Sequence, residues 1–193
     1  MRFFNAIVFI VIMSSYVAKA AGNSDFIITS YSTSEGLAHK TVTCMIQDKD
    51  GFVWIGTTNG LSRFDGYSFK NFFHENDDTT SLRGNIIKAL AEGVDGNIWI
   101  STDSGIEYYD KKQEAFYKVR LPDNQIVDFT SNISIDTKGY VWAYTPLTNF
   151  IAINPNDRSI AISNLKVPKV FFDDKDLSIY SFTVIDDIIW IAS

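Results

Sequence analysis

Cysteine is nearly absent from this chain of 193 residues: Cys44 stands alone. A single thiol excludes an internal disulfide framework and any thiolate metal cluster. Set between Val42 and Ile46 it reads as a small buried hydrophobe rather than a nucleophile. Histidine is nearly as scarce, with only His39 and His74, so a histidine-rich metal site is excluded too. Four prolines and eleven glycines rule out collagen-like and low-complexity chains. Positive charge is in deficit, and the net charge is −6, which argues against nucleic acid or anionic membrane surfaces as partners. There is no P-loop, no dinucleotide-binding glycine pattern and no nucleophile elbow, so no catalytic residue, cofactor or metal is assigned. Asp48-Lys49-Asp50-Gly51 resembles the start of a calcium loop but lacks the closing glutamate, and is read as a plain turn.

Long apolar runs are lacking as well, except at the start. Arg2, the run Ala6 to Met13 and the small residues of Ala18-Lys19-Ala20 have the layout of a secretory signal peptide over residues 1–20. The run is short of the ~20 residues needed to cross a bilayer. Loss of Arg2 and Lys19 with that segment takes two positive charges from −6 and leaves −8.

What the chain does have is aromatic residues, at 15%, and a repeat. Trp54, Trp99, Trp142 and Trp190 follow one another at intervals of 45, 43 and 48 residues. Val or Ile precedes each one. Gly51, Gly96 and Gly139 lie three residues before the first three, and Asp187 before the fourth. Gly60 and Gly105 follow the first two tryptophans at a common distance. Each copy resolves into short strands separated by turn residues. In the first these are Val42 to Gln47, Val53 to Thr57, Leu61 to Asp65 and Ser68 to Phe73. Four strands and one tryptophan in about 45 residues describe a β-propeller blade. The fold class is therefore all-β, an incomplete propeller of four-stranded antiparallel blades. Blade 1 is expected over residues 36–80, blade 2 over 81–122, blade 3 over 123–165, and the start of a fourth over 178–193. A strand at 26–31 is expected to close the last blade of the ring. The apolar runs Val53 to Ile55 and Ile98 to Ile100 predict second strands buried on both faces, between neighbouring blades.

Asp48 to Asp65 and Glu92 to Asp110 resemble the two-component regulator propeller repeat, and Thr33 to Asp48 resembles that family's opening. The resemblance covers about residues 26–193. It implies the periplasmic sensor region of a Bacteroidetes-type hybrid histidine kinase, many of which sense oligosaccharides. It also implies an inner-membrane anchor through a downstream helix, and a homodimer through the full periplasmic region. In a propeller the loops entering the innermost strands ring the channel mouth. Here these are residues 36–41, 74–86, 122–126 and 168–178. They carry His39, Lys40, His74, Arg83 and Asn85 as candidates for binding an oligosaccharide, with Asn124 and Gln125 beside them. Two other readings compete, a secreted propeller enzyme acting on carbohydrate and a scaffold for protein partners.

Overall fold

A computed structural model describes residues 28–119, 132–145, 149–165, 181–185 and 188–192, and the side chains of 145, 149 and 161–165 are outside the description. The chain divides into residues 1–30 and 31–193, and the blades lie in the second part. The expected signal peptide lies outside the described residues. No helix among them is long and apolar enough to cross a membrane.

Three four-stranded antiparallel sheets follow one another in chain order. Blade 1 is built from β1 (Val42–Gln47), β2 (Val53–Thr57), β3 (Leu61–Phe64) and β4 (Phe69–Phe72). Blade 2 is built from β5 (Ile87–Glu92), β6 (Ile98–Thr102), β7 (Gly105–Asp110) and β8 (Ala115–Lys118). Blade 3 is built from β9 (Ile133–Ile135), β10 (Val141–Thr145), β11 (Asn149–Ile153) and β12 (Ile160–Leu165). A hairpin of β13 (Ser181–Ile185) and β14 (Ile188–Ala192) is a two-strand start of a fourth. Blade 3 keeps all four strands, although its sequence departs furthest from the repeat. Residues 28–31 of the expected strand 26–31 join no sheet.

The turns follow from residue chemistry. Gly51, Gly96 and Gly139 all carry a positive φ, at 91°, 81° and 87°, a region that side chains disfavour. Along each strand residues alternate faces, so each blade presents a rear face towards the next blade and a front face towards the one before. Trp54, Leu61 and Phe72 on the rear of blade 1 share a core with Ile98, Ile100, Tyr109 and Phe116 on the front of blade 2. Trp99 and Ile106 on the rear of blade 2 meet Val141, Ile151 and Ile153 of blade 3. Trp142, Phe150 and Ala152 meet Phe182 and Val184 of the hairpin.

Expected burial of the second strands holds for blade 2, where Ile98, Trp99 and Ile100 are all fully buried. It does not hold for blade 1. Val53 and Ile55 are only half-buried, because no described blade covers that front face. Trp190 is 60% exposed, on the rear face of the hairpin, where none of the described blades lies against it.

Candidate functional site

The loops at the two ends of the blades are built differently. At one end lie the entries to β1 and β5 and the β2–β3 and β6–β7 turns, which form the expected channel mouth. Here His39 Nδ1 accepts the Thr41 N–H at 3.2 Å and lies 2.9 Å from Thr58 Oγ1. A backbone N–H only donates, so the neutral ring carries its proton on Nε2. His74 Nδ1 donates to the Leu82 carbonyl at 2.6 Å, and its backbone N–H donates to Asn85 Oδ1 at 2.7 Å. The Asn85 carbonyl in turn accepts the Gly60 N–H at 2.7 Å. His74 and Asn85 are thus brought together, and their bonds shape the loop and tie it to blade 1. His39 joins Thr58 instead, and Lys40 is exposed. Thr43 and Lys88 fall at bulges in equivalent places of β1 and β5, next to these loops. A bulge re-aims a side chain and recurs near functional sites. Asn124, Gln125 and the loop at 168–178 lie outside the described residues.

The Arg83 backbone is tied into the blade. Its N–H donates to both carboxylate oxygens of Glu107, at 3.0 and 3.1 Å. Glu107 is fully buried on the front of β7. Burial pushes its carboxyl up to about 7, against the pull of the Arg83 N–H and the charges of Lys118 and Arg83. The equivalent residue of blade 1 is Ser62, whose hydroxyl accepts the Ala38 N–H at 3.0 Å. Glu107 was not among the expected site residues. Its one signal in the sequence is a carboxylate inside a strand of apolar and aromatic residues.

At the opposite end, the Asp-x-x-Gly turn organises the tryptophan. Asp48 Oδ1 accepts the N–H groups of Asp50 at 3.1 Å and Phe52 at 2.9 Å. Its Oδ2 accepts the Trp54 indole N–H at 2.8 Å. Asp136 does the same for Lys138, Tyr140 and Trp142, at 2.9, 2.9 and 2.8 Å. In blade 2 this position is Gly93, and the buried Trp99 N–H has no partner among the described residues.

A cation from the following blade reaches each of the first two turns. Lys111, from the β7–β8 turn, lies 2.8 Å from Asp48, 2.9 Å from Asp50 and 3.3 Å from Glu92. Burial alone would raise the Asp48 carboxyl. The bonds from Lys111 and Trp54, the Lys111 charge and the Phe52 N–H outweigh it and hold the pKa below the usual range. Arg158, from the β11–β12 turn, lies 2.6 Å from Asp95. Its guanidinium also sits 5.2 Å from the Trp99 ring centre and 4.4 Å from that of Tyr108. Among the described residues no group of three or more His, Cys, Asp or Glu is placed to hold a metal.

Known proteins resemble this chain in sequence and in fold. The two-component regulator propeller profile matches residues 36–59 and 81–104. Histidine kinase P4 of Formosa agariphila is 40% identical over 77 residues, 39% of this chain and 6% of that protein. The extracellular domain of a hybrid two-component system from B. thetaiotaomicron superposes with a TM-score of 0.67 at 22% identity, over 82% of this chain and 22% of that one. Virginiamycin B lyase from Staphylococcus aureus superposes with a TM-score of 0.64 at 20% identity, over 88% of this chain and 54% of that one. The chain spans under a quarter of the kinase-linked relatives and about half of the lyase. At such identities the two solved structures speak for the β-propeller fold. Two successive blades of this chain thus each carry a segment that matches the two-component regulator propeller repeat.

Proposed function

We propose that this chain is the exported, ligand-sensing propeller segment of a two-component sensor histidine kinase. The observation that carries the proposal is the 40% identity to a histidine kinase over 77 residues, beside two matches to the two-component regulator propeller repeat. The signal-peptide pattern at residues 1–20 supports export to the periplasm. The kinase domain and the inner-membrane helix belong to parts of such proteins outside residues 1–193.

The ligand we propose is an oligosaccharide held at the channel mouth. His39 offers Nε2–H as a donor, the exposed Lys40 offers a cation, and the bulged Thr43 and Lys88 stand beside them. His74 and Asn85 hold the loop that carries Arg83. Signalling would be a population shift between two arrangements of a homodimer of the whole periplasmic region, driven by tighter ligand binding to one of them. The test is transcript profiling of cells with and without the gene on a panel of polysaccharides. Loss of induction by one glycan class is the expected result. An unchanged response to every glycan overturns the sensing role.

Likeness to virginiamycin B lyase motivates a second reading, a propeller enzyme. Among the described residues the carboxyl raised to about 7, Glu107, is buried on the face between blades 1 and 2 and bonded to the Arg83 backbone. That placement favours the sensor. Turnover of any glycan or cyclic peptide by the purified chain would reverse the preference.

A further inference from the structure

Glu107 stands where blades 1 and 2 meet the mouth loop. Its side chain is fully buried on the front of β7, and both carboxylate oxygens accept the Arg83 N–H, at 3.0 and 3.1 Å. The loop is therefore part of its cover. The segment 83–86 is short and anchored at both ends by Leu82 and Ile87, each fully buried. Between these anchors Gly84 lies flush on the β6–β7 turn, where an added Cβ would collide with Asp103 Oδ1 and meet Ser104 Oγ at 2.8 Å. The Ile86 carbonyl accepts the Asp103 N–H at 3.0 Å, and the Asn85 carbonyl accepts the Gly60 N–H at 2.7 Å.

The charges that act on Glu107 come from two of the elements around it. β8 supplies Lys118, its ladder partner, and the loop supplies Arg83. β6 supplies Ile100, its other ladder partner, and blade 1 supplies Leu61 and Phe72 to the same core. The cations of that blade 1 face are engaged elsewhere, Arg63 over the Phe52 ring at 4.6 Å and Lys70 with Glu114 at 3.0 Å. β5 carries Lys88 at its bulge by the mouth, and Asp103 lies on the β6–β7 turn. Within the loop, the His74 ring bonds the Leu82 carbonyl, while Glu75, Asp77 and Asp78 are exposed. Burial outweighs the Arg83 N–H and both facing cations, so the buried carboxyl keeps its proton up to about 7.

A buried carboxylate that loses its proton gains by reaching water. Parting the two blades would expose Trp54, Ile98, Ile100 and Tyr109, at a cost of roughly 1.5–3 kcal/mol for each aliphatic side chain alone. Lifting 83–86 breaks hydrogen bonds that contribute only about 0.5–1.5 kcal/mol each. The second route is the cheaper one. We propose that the segment 83–86 is a proton-controlled latch, closed over Glu107 while that carboxyl is protonated and lifted to admit water when it ionises. Its consequence for signalling rests on the reading of this loop as part of a ligand mouth: lifting moves Arg83 and Asn85, so affinity there would follow the external pH.

Amide hydrogen exchange of the full chain between about pH 5 and 8, corrected for the exchange chemistry of free amides, tests the latch. The reporters are the Arg83 and Gly60 amides, bonded to Glu107 and to the Asn85 carbonyl. Their protection should fall roughly 50-fold as the pH rises, since opening returns the carboxyl from about 7 to its ordinary 4.5. The β6 amides should stay far better protected throughout. In Glu107→Gln the fall should vanish. A flat profile in the wild-type chain overturns the proposal. So does a loss shared equally by β6, which would mean that the blades part, or a fall that persists in Glu107→Gln, which would assign it to His74. If circular dichroism shows Glu107→Gln to be unfolded, Glu107→Ser, the blade 1 residue at this place, replaces it. The glycan response of cells is a separate readout: its absence leaves the exchange result standing, and a flat exchange profile leaves the sensing role standing.

Discussion

Blades 1 and 2 hold the same tryptophan in two ways. In blade 1 the Trp54 N–H is bonded to a buried carboxylate that also accepts two turn N–H groups and the Lys111 ammonium. In blade 2 the carboxylate is replaced by Gly93. Trp99 is stabilised from outside by the Arg158 guanidinium over its face, and its N–H has no partner among the described residues. An added Cβ on Gly93 would lie 3.0 Å from the Trp99 nitrogen and 2.4 Å from an Asp95 oxygen, so the turn has closed into the space. The repeat therefore conserves the buried ring and the sharp turn, while the polar solution around the indole varies. What both blades share is the origin of the cation: it comes from the next blade. Electrostatic closure of each turn depends on the junction.

Breaking the closure in blade 1 should have the largest effect. Asp48→Ala strands the Trp54 N–H and two turn N–H groups and takes one of three carboxylates from Lys111, at an expected cost of about 3–5 kcal/mol in urea unfolding. Asp95→Ala in blade 2 removes a partly exposed ion pair and should cost about 1 kcal/mol or less. Equal costs would mean that the bonds within the turn contribute little.

The second contrast is Glu107 against Ser62. Between the ordinary glutamate value of 4.5 and about 7, the folded chain holds a proton that the unfolded chain has released. Raising the pH through that window therefore favours unfolding, and the loss is complete above about 7. Stability should fall by about 3 kcal/mol from pH 4.5 to 7.5 through this group. In Glu107→Gln that fall should vanish from the pH dependence of the urea midpoint. A decline of equal size in the variant would assign it to other groups.

A third contrast concerns space. Cys44 pairs with Gly56 across blade 1, and Ala89 pairs with Ser101 at the same register in blade 2. An added Cβ on Gly56 would meet Cys44 Sγ at 2.5 Å and Ile87 at 2.7 Å. Gly56→Ser should cost about 1–3 kcal/mol by overpacking. Adding Cys44→Ala, which reproduces the blade 2 pair, should recover most of it, read as a coupling energy in a double-mutant cycle. Trp54→Phe should cost about 1–2 kcal/mol more than Trp99→Phe, because only the former loses an indole hydrogen bond. Matching melting-temperature losses would place a hidden partner at Trp99.

Much of this was legible before any coordinates. The strands of blade 1 fall within a residue of their expected limits. Alternation, turn glycines and the recurrence of tryptophan are local properties, written within a few positions of one another. Blade 3 shows the limit of that reading. Its turn chemistry has drifted, yet packing against blade 2 keeps four strands in place. The candidate site is less legible in the sequence. His39, Lys40, His74, Arg83 and Asn85 do lie in the loops where topology put them. That His74 and Asn85 are bonded to each other, with the Asn85 carbonyl on Gly60, was not foreseeable from spacing.

By itself, then, the sequence determined the blade repeat, its turns and the residues that must be apolar, since each depends on the pleat and the backbone within one hairpin. Only the tertiary structure decided which blade face is covered, which carboxylate is charged and which cation meets it. Lys111 and Asp48 are 63 positions apart, as are Arg158 and Asp95, and nothing local links them. The blade junction brings them together and excludes water. Burial and charge acquire their values there.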